Sequence, residues 1–239
     1  MYSIHVAVWR PVAARGKRSD PRAAGQGRGR RAGLSRQVVA DAALDLVDEV
    51  GLHGFSMRTL AARLGVSPMA LYNHVTSRAE LLGLVVDRLG EEMQSRAAAG
   101  GTGLERVPPI ARSIRSTYLG HPAAIVLIQT TTSTSAAALG PVEDALAAFV
   151  EAGMDLRRAR SAWVGLIALV TGHVSYELNG HFTEPVSADS VPGGLTHLRE
   201  VVQLAPLDHE EAFEEALTAF LSGLPRLPVD GTGPEPGRR

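Results

Sequence analysis

The chain contains no cysteine in 239 residues. Disulfides, thiol chemistry and cysteine-based zinc sites are therefore excluded, and an intracellular setting fits. Lysine is almost absent: Lys17 is the only one among 24 basic residues. No N-terminal stretch reads as a signal peptide, because the apolar run before Arg10 is too short. The most apolar segment, 162–172, is about half the length a membrane helix needs and continues into His173 and Glu177. It reads as a buried helix, so no membrane partner is expected. The chain also lacks the HExxH pair, the phosphate loop and the Gly-x-Ser-x-Gly elbow, and its adjacent acid pairs point apart on helices. The expectation is a protein without enzymatic activity, cofactor or metal. No stretch alternates apolar and polar residues long enough for a strand, and no internal repeat is visible.

What is present is ordinary globular material, 45% hydrophobic and 21% charged. The net charge of −1 hides an asymmetry. Residues 1–36 hold nine Arg or Lys against one acid, Asp20, which leaves 15 basic and 24 acidic residues for 37–239. A basic arm on an acidic body suggests nucleic acid; a solvated leader reads equally well. Residues 1–33 are rich in Gly, Arg and Ala without period, which predicts a disordered arm. Residues 225–239, with Pro225, Pro228, Pro234 and Pro236, predict a disordered tail.

From Ser35 the texture changes. Val39, Ala43, Leu46, Val47 and Val50 recur at helical spacing between a Ser35 cap and Gly51. A second short helix spans 56–64 and is closed by Gly65. A third opens at Ser67 with Pro68 in the favoured first position and runs to about His74. Residues 77–80 read as a capping box, in which Ser77 accepts from the Glu80 amide and Glu80 reaches back to the serine amide. That box starts a long helix over 78–98. The glycines at 100, 101 and 103 mark a domain boundary. Beyond it the pattern predicts helices over 104–119, 122–133, 141–152, 156–179, 195–204 and 209–221.

The informative segment is 55–80, FSMRTLAARLGVSPMALYNHVTSRAE. Two short helices meet at Leu64-Gly65-Val66-Ser67, where glycine permits a left-handed turn. Leu60, Ala61 and Leu64 can pack on Val66, Ala70 and Leu71. This is how a helix-turn-helix fixes its second helix for the major groove. The run Leu71-Tyr72-Asn73-His74-Val75, followed by Ser77-Arg78-Ala79-Glu80-Leu81-Leu82, resembles the signature of the tetracycline repressor (TetR) family, closest to the subgroup of the tetracycline repressor itself. The resemblance runs over about 35–92, with a weaker likeness at 213–223.

The resemblance implies an all-α protein: an N-terminal helix-turn-helix DNA-binding domain (34–99) and a C-terminal helical ligand-binding and dimerisation domain (100–224). It implies a homodimer that binds palindromic double-stranded operator DNA and is released by a small-molecule inducer, most often as a repressor. By position it assigns Ser35, Tyr72, His74 and Arg78 to the phosphate backbone, Arg58 to a DNA contact, and Ser67, Pro68, Met69 and Asn73 to base edges. Asn73 suits adenine, and Met69 suits a thymine methyl. Tyr72 also reads as a core aromatic, and His74 as a cap or packing residue of the turn. Residues 37–80 hold three arginines and five acids, so the basic arm is expected to supply the missing phosphate contacts.

In the C-terminal half, polar or aromatic residues on apolar helices are candidate ligand contacts: Arg112, Gln129, Trp163, His173 and Tyr176. His173 reads equally as a satisfied core or interface histidine, and Trp163 as packing. Helices 156–179 and 209–221 are the expected dimer interface. The rival reading is a helical small-molecule-binding or interaction protein without sequence-specific DNA binding.

Overall fold

The computed structural model describes residues 34–97, 100–183 and 187–224. The expected basic arm and the expected tail lie outside the described residues. Among the described residues there are ten α-helices and two short 3-10 turns, and no strand.

Helix α1 (Arg36–Gly54) begins where the Ser35 side chain accepts the Val38 amide at 3.2 Å. Val39, Ala43, Leu46 and Val47 line its buried face. Gly51, at φ +68°, breaks the regular helix as the sequence predicts, and one further turn carries the chain to Phe55. Helix α2 (Met57–Leu64) is capped by Ser56 and ended by Gly65 in the left-handed conformation. Helix α3 (Pro68–Tyr72) is capped by Ser67 through the Ala70 amide at 3.2 Å. It is shorter than the predicted run to His74.

Helix α4 (Arg78–Arg96) opens with the Ser77 cap on the Glu80 amide at 3.0 Å. The second half of the expected box differs. The Glu80 carboxylate does not return to the Ser77 amide; it accepts the Thr76 amide and hydroxyl at 2.6 and 2.7 Å and the Arg36 guanidinium at 2.5 Å.

A 3-10 turn (Gly103–Arg106) leads into α5 (Val107–Gly120), then α6 (Ala124–Thr130) and α7 (Ala136–Glu151). The sequence starts α7 at Pro141; the structure places Pro141 inside it. Ser135 caps the Ala138 amide at 3.0 Å, and the alanines that follow are strong helix formers. Pro141 cannot donate to the Ala137 carbonyl. Gly90 of α4 lies against that carbonyl so closely that a Cβ there would stand 2.7 Å from the Ala137 carbonyl carbon. Helices α8 (Leu156–Leu178), α9 (Thr196–Val201) and α10 (His209–Gly223) complete the chain. Asp155 and Asp208 cap α8 and α10.

One continuous core runs through the described residues. Leu60, Leu71, Leu81 and Leu89 are fully buried at one end, and Ile114, Phe149, Leu166 and Phe213 at the other. Helix α4 joins the two ends, packing against α1 as well as against α5, α6 and α7. Among the described residues no helix is long and apolar enough to cross a membrane.

Candidate nucleic-acid interface

Helix α3 stands on a small apolar foot. Leu71 is fully buried and Val75 nearly so, and both face Leu60 and Ala61 of α2 within the core. Burying one stripe of a five-residue helix fixes its rotation and leaves the opposite stripe in solvent. That stripe carries Pro68, Met69, Tyr72 and Asn73, and Met69 is 73% exposed. A methionine held that far into water has no packing role in the folded chain. Tyr72 is an exposed residue too, so of its two sequence readings the core role falls away. Ser67 is exposed but spends its side chain on the cap.

The rim of the same surface is built by the flanking helices. Ser35 is exposed at the start of α1, and Arg58 at the start of α2. Among the described residues Arg58 makes no hydrogen bond or ion pair, whereas Arg63 is held bidentately by Glu49 at 2.5 and 2.8 Å. Arg78 donates to the Leu52 carbonyl at 3.2 Å, with its guanidinium 5.5 Å from the centre of the Phe55 ring. Those contacts aim Arg78 and leave it exposed. His74 is half-buried, and its carbonyl accepts from Arg36 at 3.0 Å.

Arg36 is the residue that sequence reasoning missed here, having been counted with the basic arm. It ties the end of α3, through the His74 carbonyl, to Glu80 at the start of α4. Glu80 is held down to about 2 by the Thr76 hydroxyl and amide first and Arg36 next. The network is 38 to 44 residues apart in sequence and left no local signal.

The five candidate ligand residues do not converge. Arg112 is bound bidentately by Glu214 of α10 at 2.6 and 2.7 Å. His173 meets Phe213 of the same helix edge-on at 5.7 Å; burial first, then the neighbouring Arg115 and His209, depress its pKa. Tyr176 is exposed and leans on His181, with ring centres 4.4 Å apart. Trp163 is half-buried against the core, and Gln129 is exposed on α6. Arg112 and His173 share α10 as a neighbour. A shallow cleft between α4, α5 and α7, lined by Met93, Gln94, Ile110, Ile114, Pro141 and Asp144, contains none of the five.

A capped short helix, seated by its buried face with Pro68, Met69, Tyr72 and Asn73 bare and Arg58 exposed beside it, is the apparatus of a helix-turn-helix DNA-binding regulator. Residues 39–85 match the model for bacterial regulatory proteins of the tetR family, and residues 98–227 match the tetracyclin repressor-like C-terminal domain. The chain belongs to the TetR family of transcriptional regulators.

The tetracycline repressor protein class A from transposon 1721 of Escherichia coli is 32% identical over 204 residues, covering 83% of this chain and 90% of its own. The HTH-type transcriptional repressor DrrR1 of Streptomyces coeruleorubidus is 36% identical over 96 residues. That match covers 40% of this chain and 36% of DrrR1. Among solved structures, the TetR family protein ActR of Streptomyces coelicolor in complex with actinorhodin superposes with a TM-score of 0.64 at 25% identity, covering 81% and 97% of the two chains.

Proposed function

We propose that the chain is a ligand-responsive repressor acting in the cytoplasm. It binds a palindromic double-stranded operator as a homodimer and is released by a small-molecule inducer. The observation that carries this reading is the bare stripe of α3: Pro68, Met69, Tyr72 and Asn73 in solvent over a buried Leu71. Asn73 and Met69, with Ser67 and Pro68, read base edges; Ser35, Arg58, Tyr72, His74 and Arg78 hold the backbone.

Residues 34–99 are the reading head and 100–224 the regulatory and dimerisation domain. The dimer reading is supported by α8, whose Val164 is 58% exposed within a run of Ala168 and Gly172, alongside the open Thr218 and Ala219 of α10. An apolar face of this kind on a long helix is what a partner subunit covers. Two heads can then sit about one DNA turn apart. The inducer reading is supported by the solved ActR complex with actinorhodin, with Arg112 and His173 beside α10 as contacts, and Gln129, Trp163 and Tyr176 as more distant ones.

Fluorescence-anisotropy titration against DNA from the protein's own upstream region tests the reading. Retention of one palindromic fragment over competitor, with affinity falling as salt rises, is the expected result. No retention on any fragment at low salt would leave a helical ligand-binding or interaction protein.

A further inference from the structure

Among the described residues, one polar contact joins α1 of the reading head directly to residues beyond 100. His121, in the turn between α5 and α6, places Nδ1 2.5 Å from Asp48 Oδ2 of α1. Its Nε2 lies 3.4 Å from Glu92 Oε2 of α4. The imidazole thus sits between two carboxylates from two different helices, and all three side chains are largely buried, at 19%, 19% and 13% exposure.

The chemistry of this arrangement is restrictive. Ionised carboxylates only accept hydrogen bonds, and a neutral imidazole has one N–H. Both ring nitrogens can donate only when the ring is protonated. The surrounding charges agree. Asp48 is the charged group that α1 presents, and α4 presents Glu92 with Arg96, whose Nη2 stands 2.9 Å from Glu92 Oε1. The adjoining end of α5 contributes the uncharged Ser116 and Thr117, and the α6 side contributes Pro122 and Ala123. With His121 protonated the group is neutral; without the proton it is a net anion with two carboxylates facing one neutral ring. The Asp48 hydrogen bond is the largest influence on the ring and raises its pKa against the opposing effect of burial.

We propose that protonated His121 is a latch that fastens the reading head, through Asp48 and Glu92, to the regulatory domain. Loss of the proton releases it. A group whose pKa is raised in the folded state contributes in full below its ordinary value, and that contribution disappears as pH rises through the raised value. Head and core are therefore most tightly joined in mildly acidic solution and loosen towards alkaline pH. Where the head reads DNA, loosening lowers the fraction of dimers with both heads correctly placed, and the apparent operator affinity with it. That last step rests on the repressor reading; the latch does not.

The test uses the full chain. The side-chain resonances of His121 are assigned by comparing wild type with His121→Gln, and then titrated by NMR. Thermal melts of both proteins are recorded from pH 6 to 9. The latch predicts titration above the ordinary histidine range. It also predicts a fall of about 2–4 °C in wild-type Tm across that titration that is missing in His121→Gln, a scale that matches loss of one such contact in a chain of this size. His121 titrating at or below its ordinary value overturns the proposal, as does an unchanged pH slope in the variant. Should His121→Gln not fold, Asp48→Asn serves, with the His121 pKa expected to drop. Operator titrations at pH 6 and 8.5 in fixed salt read the consequence separately. Failure to bind any DNA at either pH removes the repressor reading while the melts and NMR still decide the latch.

Discussion

Helix α4 carries two glycines for which the same substitution should act in opposite directions. Gly83 has open space where a Cβ would go. Glycine in a helix interior costs about 1 kcal/mol relative to alanine, so Gly83→Ala is expected to stabilise by about 0.5–1 kcal/mol. Gly90→Ala gains the same propensity, but its Cβ would stand 2.7 Å from the Ala137 carbonyl carbon and 3.1 Å from Ala138 Cα. The obstacle is backbone, so no rotamer change relieves it, and α7 must retreat from α4 along their shared seam. Overpacking of this kind costs about 1–3 kcal/mol. Net of propensity, Gly90→Ala is expected to destabilise by about 1–2 kcal/mol, or about 3–6 °C in Tm for a chain of this length. The assay is a thermal or urea melt of wild type and both variants at one fixed protein concentration, because any self-association would link stability to concentration. A Gly90→Ala protein that melts at or above wild type would refute the seam, since it would show that α4 and α7 separate at no cost.

Four further outcomes are expected. Glu80 is held down to about 2 by Thr76 and Arg36, so its contribution to stability is present above the ordinary carboxylate range and is lost as pH falls towards 2. Acid melts between pH 5 and 2 should be steeper for wild type than for Glu80→Gln. On operator DNA, Asn73→Ala is expected to cost about 1–3 kcal/mol at one base pair and relax preference there. Arg58→Ala should instead weaken all sequences alike and reduce the salt slope by about 1, as anisotropy titrations at several salt concentrations would reveal. Deleting residues 1–33 is expected to weaken binding and flatten that slope; an unchanged slope would remove the arm from the interface.

The parts of the head that were legible in the sequence are those decided within a few residues. Ser35, Ser67 and Ser77 each cap the helix that follows, and Gly51 and Gly65 break the chain at positive φ. Leu60 and Leu71 are core because the turn between them is four residues long. Where two local rules competed, the sequence misled: Pro141 suggested a helix start, and Ser135 six residues earlier supplied one. Long-range partners left no trace at all. Arg36 with Glu80, and His121 with Asp48, are joined only by the packing of helices far apart in the chain. The surroundings of the candidate ligand residues were illegible for the same reason. Arg112 and Gln129 look alike as polar residues on apolar helices, but the phase of each helix against its neighbours sends one to Glu214 and the other to solvent.

The glycine-rich stretch at 100–103 reads in the sequence as a boundary, but the packing does not divide there. Leu81, Val85 and Leu89 of α4 belong to one buried cluster with Leu46 and Leu60 on one side and Ile110, Ile114 and Phe149 on the other. Met93 is also buried, and its carbonyl accepts from the Ser113 hydroxyl of α5. A fragment of residues 34–99 would keep helices α1 to α3 but strip α4 of α5, α6 and α7. That exposes Val86, Met93 and the Gly90 seam, and removes the His121 contact to Asp48. Each fully buried apolar side chain is worth about 1.5–3 kcal/mol, against a total stability of about 5–15 kcal/mol for a whole domain. The fragment is therefore expected to melt well below the intact chain, and circular dichroism would show it. A fragment as stable as the whole would mean that the head folds on its own, and that α4 is a linker rather than a shared element of both domains.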